Sequence, residues 1–263
     1  MVLVSAVTIS KGKRKNSDNC LVGVLVTMFQ AVRSNYSRFG LAKTLYDTVY
    51  RGFNRVFIFQ SLTGMTATEK SLTMIDLPEG SELTVRFLSR DELLDFAKDP
   101  INELSEEFLE IVSKKGDHCL AILDGDILAS YGWYSNRPTR ILNNVNLFFS
   151  PDWMYMYKGY TRKDYRGMRL HAVGMCHATK HFTKEGFKGL ISYVESNNFA
   201  SMKSVTRMGY EIFGSIQILS AFKTFASFSS SGCKPYRFYA STHDAKRAKL
   251  GVAFIDAIGS IRP

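Results

Sequence analysis

The chain has 263 residues, 45% of them hydrophobic and 13% aromatic, with a formal net charge of +10. This is the composition of a folded globular protein rather than a disordered one, and the length admits one large domain or a domain with an appendage. No apolar stretch approaches the roughly 20 residues that span a bilayer; residues 21–29 are the longest candidate and far too short.

The apolar start, residues 1–9, has no basic segment before it and does not read as a secretory signal. Cys20, Cys119, Cys176 and Cys233 are scattered, with no C-x-x-C pair. They read as reduced thiols of a cytoplasmic protein and offer no zinc-ligand spacing. Charge is uneven: residues 1–60 hold nine Lys and Arg against only Asp18 and Asp47, and the remainder is close to balanced.

In chain order, residues 10–19 are polar and basic and read as weakly ordered. From Gln30 to Phe59, Phe39, Ala42, Leu45, Tyr46, Val49, Phe53, Val56 and Phe57 recur at helical spacing, with Lys43, Asp47, Arg51 and Arg55 on another side. This predicts a basic amphipathic helix or helix pair, weakened at Gly40 and Gly52. Gly64, Pro78 and Gly80 predict a linker over 61–81. A strand follows at 83–88, then Ser89 as N-cap of a helix over 91–98, with Glu92 completing a capping box. A second helix covers 103–114. Strands 118–123 and 127–134 flank Asp124-Gly125, a hairpin signal. Residues 135–150 read as a polar excursion and Ser227 with 229–231 as a short loop. Residues 153–161 form an aromatic strand, followed by a turn at Arg166 and a helix to about Glu185, closed by Gly186. Strand 188–195, helix 200–208 and strands 210–222 and 236–242 complete a mixed α+β order.

The motif-bearing stretch is Arg166-Gly167-Met168-Arg169-Leu170-His171, then Gly186-Phe187, Asn198-x-x-Ser201 and Gly209-Tyr210. A turn opening a helix presents free N–H groups and the positive end of the helix dipole, which suits a pyrophosphate. The order and spacing resemble the GNAT superfamily of acyl-CoA-dependent N-acyltransferases over roughly residues 83–242, most sharply over 154–210. Arg169 and His171 stand where the family motif has its later glycines. The resemblance implies a mixed, mostly antiparallel sheet with a splayed central strand pair and flanking helices. The expected division is a basic helical extension (1–60), the linker (61–81), a GNAT-like domain (82–245) and a tail (246–263).

The resemblance further implies acetyl-CoA or another acyl-CoA as co-substrate, with no metal. Gly159, Tyr160 and Thr161 would meet the pantetheine arm as an added strand would. The amides of Arg166, Gly167, Met168, Arg169, Leu170 and His171 would face the diphosphate. Asn198 would hydrogen-bond the pantetheine, with Ser201 one helical turn on. The implied reaction is direct attack by a primary amine of a small molecule or sugar on the thioester, aided by alignment and an oxyanion donor. Glu195, closing a strand beside the slot, is the candidate base, a role to weigh against that of a solvated strand-end carboxylate. Val205 occupies the position where many relatives place a tyrosine acid, leaving Tyr155, Tyr157, Tyr193 or solvent to protonate the thiolate. His177 and His181 are spaced i, i+4 but lack a third ligand, and read as ordinary surface histidines.

For residues 30–59 the readings are, in order, packing on the domain or on a second subunit, peripheral contact with an anionic membrane, and nucleic-acid binding, which no motif supports. Two competitors stand beside acyl-CoA transfer: an aminoacyl-tRNA-dependent transferase of related fold, and a non-catalytic GNAT-like interaction or membrane-targeting module.

Overall fold

A computed structural model describes residues 30, 32–56, 58–142, 144–221 and 224–242. The basic stretch 10–19, the apolar run 21–29, Cys20 and the tail 246–263 lie outside the described residues. Among the described residues, no helix is long and apolar enough to cross a membrane.

Two helices open the described chain, α1 (32–39) and α2 (Leu41–Val56). The break falls at Gly40, whose φ of +81° is the left-handed conformation that glycine adopts without penalty. Strand β1 (Ile58–Ala67) follows, then a stretch without regular structure leads to β2 (Leu83–Phe87). Helices α3 (Arg90–Ala97) and α4 (Glu106–Lys115) come next, then strands β3 (His118–Asp124) and β4 (Ile127–Ser135). The Ser89–Glu92 capping box is present in full. The hairpin turns on Gly125-Asp126, with Asp124 opposite Ile127. Short strands β5 (Thr139–Leu142) and β6 (Val145–Phe148) precede β7 (Met154–Thr161), helix α5 (Leu170–Lys184), strand β8 (Leu190–Glu195) and helix α6 (Phe199–Arg207). The described residues close with β9 (Glu211–Ala221), β10 (Thr224–Ser229) and β11 (Tyr239–Thr242).

The architecture is mixed α+β with a mostly antiparallel sheet. Eight strands run in the order β10-β9-β1-β8-β7-β4-β3-β2, and β11-β6-β5 form a small second sheet. On one face α5 and α6 cover a core containing Met65, Met154, Met156, Phe182 and Leu190. On the other, α3 and α4 pack on Tyr131 and Trp133. Beside them the small sheet packs its Leu147 and Ala240 against Leu62, Tyr155, Ile191 and Ile216.

Three expectations are corrected. The linker over 61–81 begins as a strand in the middle of the sheet: β1 lies between β8 and β9, antiparallel to both. Gly64 belongs to that strand because the rings of Phe213 and Phe238 fill the space a Cβ would occupy. The rest of the supposed linker is a strap across α5 and α6, where Leu72 is buried and the Thr73 amide donates to the Met208 carbonyl at 2.9 Å. It passes so close to Gly209 (φ +91°) that a Cβ there would lie 1.9 Å from the Ser71 carbonyl oxygen. The excursion at 135–150 holds β5 and β6, and of the supposed serine loop Ser227 and Ser229 lie in the edge strand β10 while Ser230 and Ser231 follow it.

Candidate functional site

The site grows from the one parallel pairing in the large sheet among the described residues. Strands β7 and β8 are paired only at Met154–Leu190 and Tyr155–Ile191. Beyond those two rungs they diverge, and the Ser192 hydroxyl donates to the Met156 carbonyl at 2.9 Å in the crotch. The other edge of β7 remains zipped to β4 as far as Thr161, opposite Ser130. A slot therefore opens toward the C-terminal ends of both strands, with one edge of β7 unpaired along it.

The turn that leaves β7 is held from two sides. The Tyr165 hydroxyl donates to Asp124 Oδ2 at 2.6 Å, and Arg166 Nε donates to the Thr161 carbonyl at 3.3 Å. After the Arg166 amide, which donates to the Lys163 carbonyl, the amides of Gly167, Met168, Arg169, Leu170 and His171 meet no acceptor among the described residues. They lie at the positive end of the α5 dipole. A cavity of about 210 Å³ opens here, lined by Gly159, Tyr160 and Thr161 of β7, by the turn and by Glu103.

The residues in place of the motif glycines have a physical account. Arg169 adopts φ 60° and ψ 21°, the left-handed conformation a glycine would take. The His171 ring is turned onto β7, where Gly159 makes room: a Cβ on Gly159 would lie 2.3 Å from His171 Cε1. The missing glycine on the helix is thus matched by a glycine on the strand. The ring, packed on Gly159, is itself part of the cavity wall. Burial pushes its pKa down to about 4, so it is neutral at pH 7 and adds no charge to the turn.

The other limb ends at Glu195, which pairs with Leu62 and does not line the α5 cavity. Burial raises its pKa, opposed by Arg51 of α2. Asn198 caps α6, its Oδ1 accepting from the Ser201 amide at 3.1 Å, and Ser201 is buried. Helix α2 lies over this corner. The Tyr46 hydroxyl shares a hydrogen bond with Ser196 at 2.7 Å, and Asn197 Nδ2 donates to Asp47 at 3.0 Å. Asp47 also accepts from Asn35 and Arg51, so a single buried carboxylate ties α1, α2 and the β8–α6 loop together. These helices are thus fastened to the domain through Asp47 and its partners, not through the apolar face of Leu41, Leu45 and Val49 that was expected to pack.

Of the tyrosines weighed as acids, Tyr155 is a core residue and Tyr157 and Tyr193 are half-buried against the same cluster. Tyr157 donates to Asp117 Oδ2 at 2.8 Å, and Tyr155 stacks between Tyr157 and Tyr193. Burial pushes all three phenols up, which makes them poor proton donors. His177 and His181 face different carboxylates, Asp76 at 3.2 Å and Glu185 at 3.1 Å. Among the described residues, no group of three His, Cys, Asp or Glu could hold a metal.

Two features escaped the sequence reading. Glu103, in a left-handed conformation at φ 52°, reaches the cavity wall from the α3–α4 connection. A positive groove of about 900 Å³, lined by Arg38, Arg169, Lys203 and Arg207, adjoins the cavity through Arg169 and His171. The i, i+4 spacing of Lys203 and Arg207 was visible in the sequence, but their convergence with Arg38 of α1 was not.

No protein-family model and no curated protein matches the sequence. Solved structures similar to it include a Drosophila protein, at 14% identity and TM-score 0.45 over 64% of this chain and 52% of that one. A GCN5-related N-acetyltransferase-like protein from Streptococcus suis has 14% identity and TM-score 0.43, over 67% of each chain. An acetyltransferase from the GNAT family of Colwellia psychrerythraea has 15% identity and TM-score 0.44, over 66% of this chain and 57% of that one. The chain thus spans only about half the length of the Drosophila protein. The last two are described by their family, that of the GCN5-related N-acetyltransferases.

Proposed function

We propose that the chain is an N-acyltransferase that binds an acyl-CoA and passes its acyl group, an acetyl in the simplest case, to a primary amine of a small molecule or sugar. The observation that carries this reading is the run of five open amides, 167–171, at the mouth of a slot between two strands that share only two rungs. Such a run suits a diphosphate, and an unpaired strand edge suits the amide-bearing pantetheine arm. In this reading the edge at Gly159–Thr161 receives the arm, and the Asn198 side-chain amide remains a donor to it. Arg38, Arg169, Lys203 and Arg207 take the phosphorylated nucleotide end.

The amine nitrogen bonds to the acyl carbon as the carbon–sulfur bond breaks. The proton shed by nitrogen goes to Glu195, directly or through water, and the departing thiolate takes one from solvent. A carboxylate with its pKa raised by burial is suited to that task. Titration calorimetry with acetyl-CoA tests the reading, and absence of binding would overturn it. Arg166→Glu should weaken binding by about tenfold or more. Glu195→Gln should lower kcat about a hundredfold while leaving acetyl-CoA affinity unchanged.

The positive groove also favours a second reading, transfer from an aminoacyl-tRNA. Saturable tRNA binding without any response to acetyl-CoA would establish it in place of the first.

A further inference from the structure

Helix α2 is inverted. Over residues 41–51 the side it turns to the protein carries Thr44, Asp47 and Tyr50, all buried; the Tyr50 ring meets that of Phe59 and its hydroxyl accepts from the Ser61 amide at 3.0 Å. The side it turns outward is apolar. Leu41, Leu45 and Val49, spaced i, i+4, i+8 and therefore stacked along one face, are 71%, 62% and 50% exposed. On α1, Val32 and Tyr36 repeat the spacing and are exposed as well. Amphipathic helices of globular proteins ordinarily face the other way.

The charges around this ridge are of one sign. Arg33, Arg38, Lys43 and Arg51 are exposed, and the one carboxylate of α1 and α2, Asp47, is buried beneath Arg51. Lys203 on α6 adds to the same rim beside Arg38 and Lys43. A second copy laid ridge to ridge would bring cation against cation. The complementary surface is an extended negative one with an apolar interior.

We propose that α2 docks the protein on an anionic lipid bilayer, with Leu41, Leu45 and Val49 entering the headgroup–acyl boundary and the surrounding Arg and Lys contacting lipid phosphates. No residue of the ridge lines the slot; the rim shares Arg38 and Lys203 with the groove given to the nucleotide end, so the test substitutes the ridge alone and leaves both in place.

The test is co-sedimentation of the full chain with phosphatidylcholine vesicles, with and without phosphatidylserine, alongside a Leu41→Ser, Leu45→Ser, Val49→Ser variant. The substituted positions are exposed, so the variant should retain its circular dichroism and its unfolding midpoint. Wild type should sediment with the phosphatidylserine vesicles and stay in solution with pure phosphatidylcholine. The variant, with every basic residue in place, should bind about tenfold more weakly or worse. The proposal is overturned if wild type ignores the anionic vesicles, which is also the outcome if another segment of the chain or a protein covers the ridge. It is equally overturned if the variant binds as wild type does, since charge alone would then suffice. Light scattering that shows a wild-type dimer and a monomeric variant would assign the ridge to a second copy instead.

Discussion

Helices α2 and α5 are similar in length and bury opposite kinds of surface. Helix α5 sinks Leu170, Val173, Met175, Cys176, Ala178 and Phe182 into the core, so hydrophobic burial fixes its position and therefore that of the amides at its start. Helix α2 is held largely by the buried Asp47 and the hydroxyls of Tyr46 and Tyr50, and leaves Leu41, Leu45 and Val49 in water. One helix is a structural part that carries a site at its tip. The other is attached through polar contacts and offers its greasy side elsewhere.

The comparison breaks most visibly under truncation of α5. Phe182 is fully buried against Phe87, Tyr134 and Phe187, so Phe182→Ala should cost about 3–5 kcal/mol in urea unfolding. A smaller effect comes from acid. The folded His171 has a pKa of about 4 against an ordinary 6.5, so the unfolded chain binds a proton that the folded one refuses. The stability this contributes is complete above pH 6.5 and is lost as pH falls toward 4, by on the order of 1–3 kcal/mol. In His171→Asn the slope of stability against pH in that window should diminish by the same amount. On α2, Asp47→Ala should cost about 1–3 kcal/mol, because Asn35, Asn197 and Arg51 lose a common acceptor. It should also increase hydrogen exchange in α1 and α2 while α5 stays protected. Least of all, Leu45→Ser should change stability by no more than about 0.5 kcal/mol; a loss like that of Phe182→Ala would mean that the ridge is covered in the free protein.

What could be read from the sequence followed the same division. Elements that bury one face and expose the other announced themselves by period, as did the Ser89 capping box and the β3–β4 hairpin. The turn at Arg166 was legible because a helix start needs few residue types, and its place at the mouth of a strand pair followed from the resemblance. Strand β1 was not legible. Leu62, Met65 and Thr66 are all buried, so the strand shows no alternation, and Gly64 looks like a breaker until the rings of Phe213 and Phe238 are seen above it. Strands β5 and β6 are too short for a period to register, and β10 was hidden by Ser227 and Ser229, which read as loop residues. Within the site, the pairing of His171 with Gly159 and the approach of Glu103 depend on residues far apart in sequence. The direction in which α2 faces was hidden for another reason. Periodicity reports that a helix has two sides, not which of them meets the protein.

The position of β1 bears on how the molecule is made. Its two ladder partners, residues 190–195 and 211–221, leave the ribosome more than a hundred residues after it does. Until both have emerged, an apolar strand with two open edges waits without neighbours, and the sheet can close only by admitting its earliest piece last. Such long-range closure slows folding and exposes the nascent chain to mispairing, so the refolding yield should depend steeply on protein concentration.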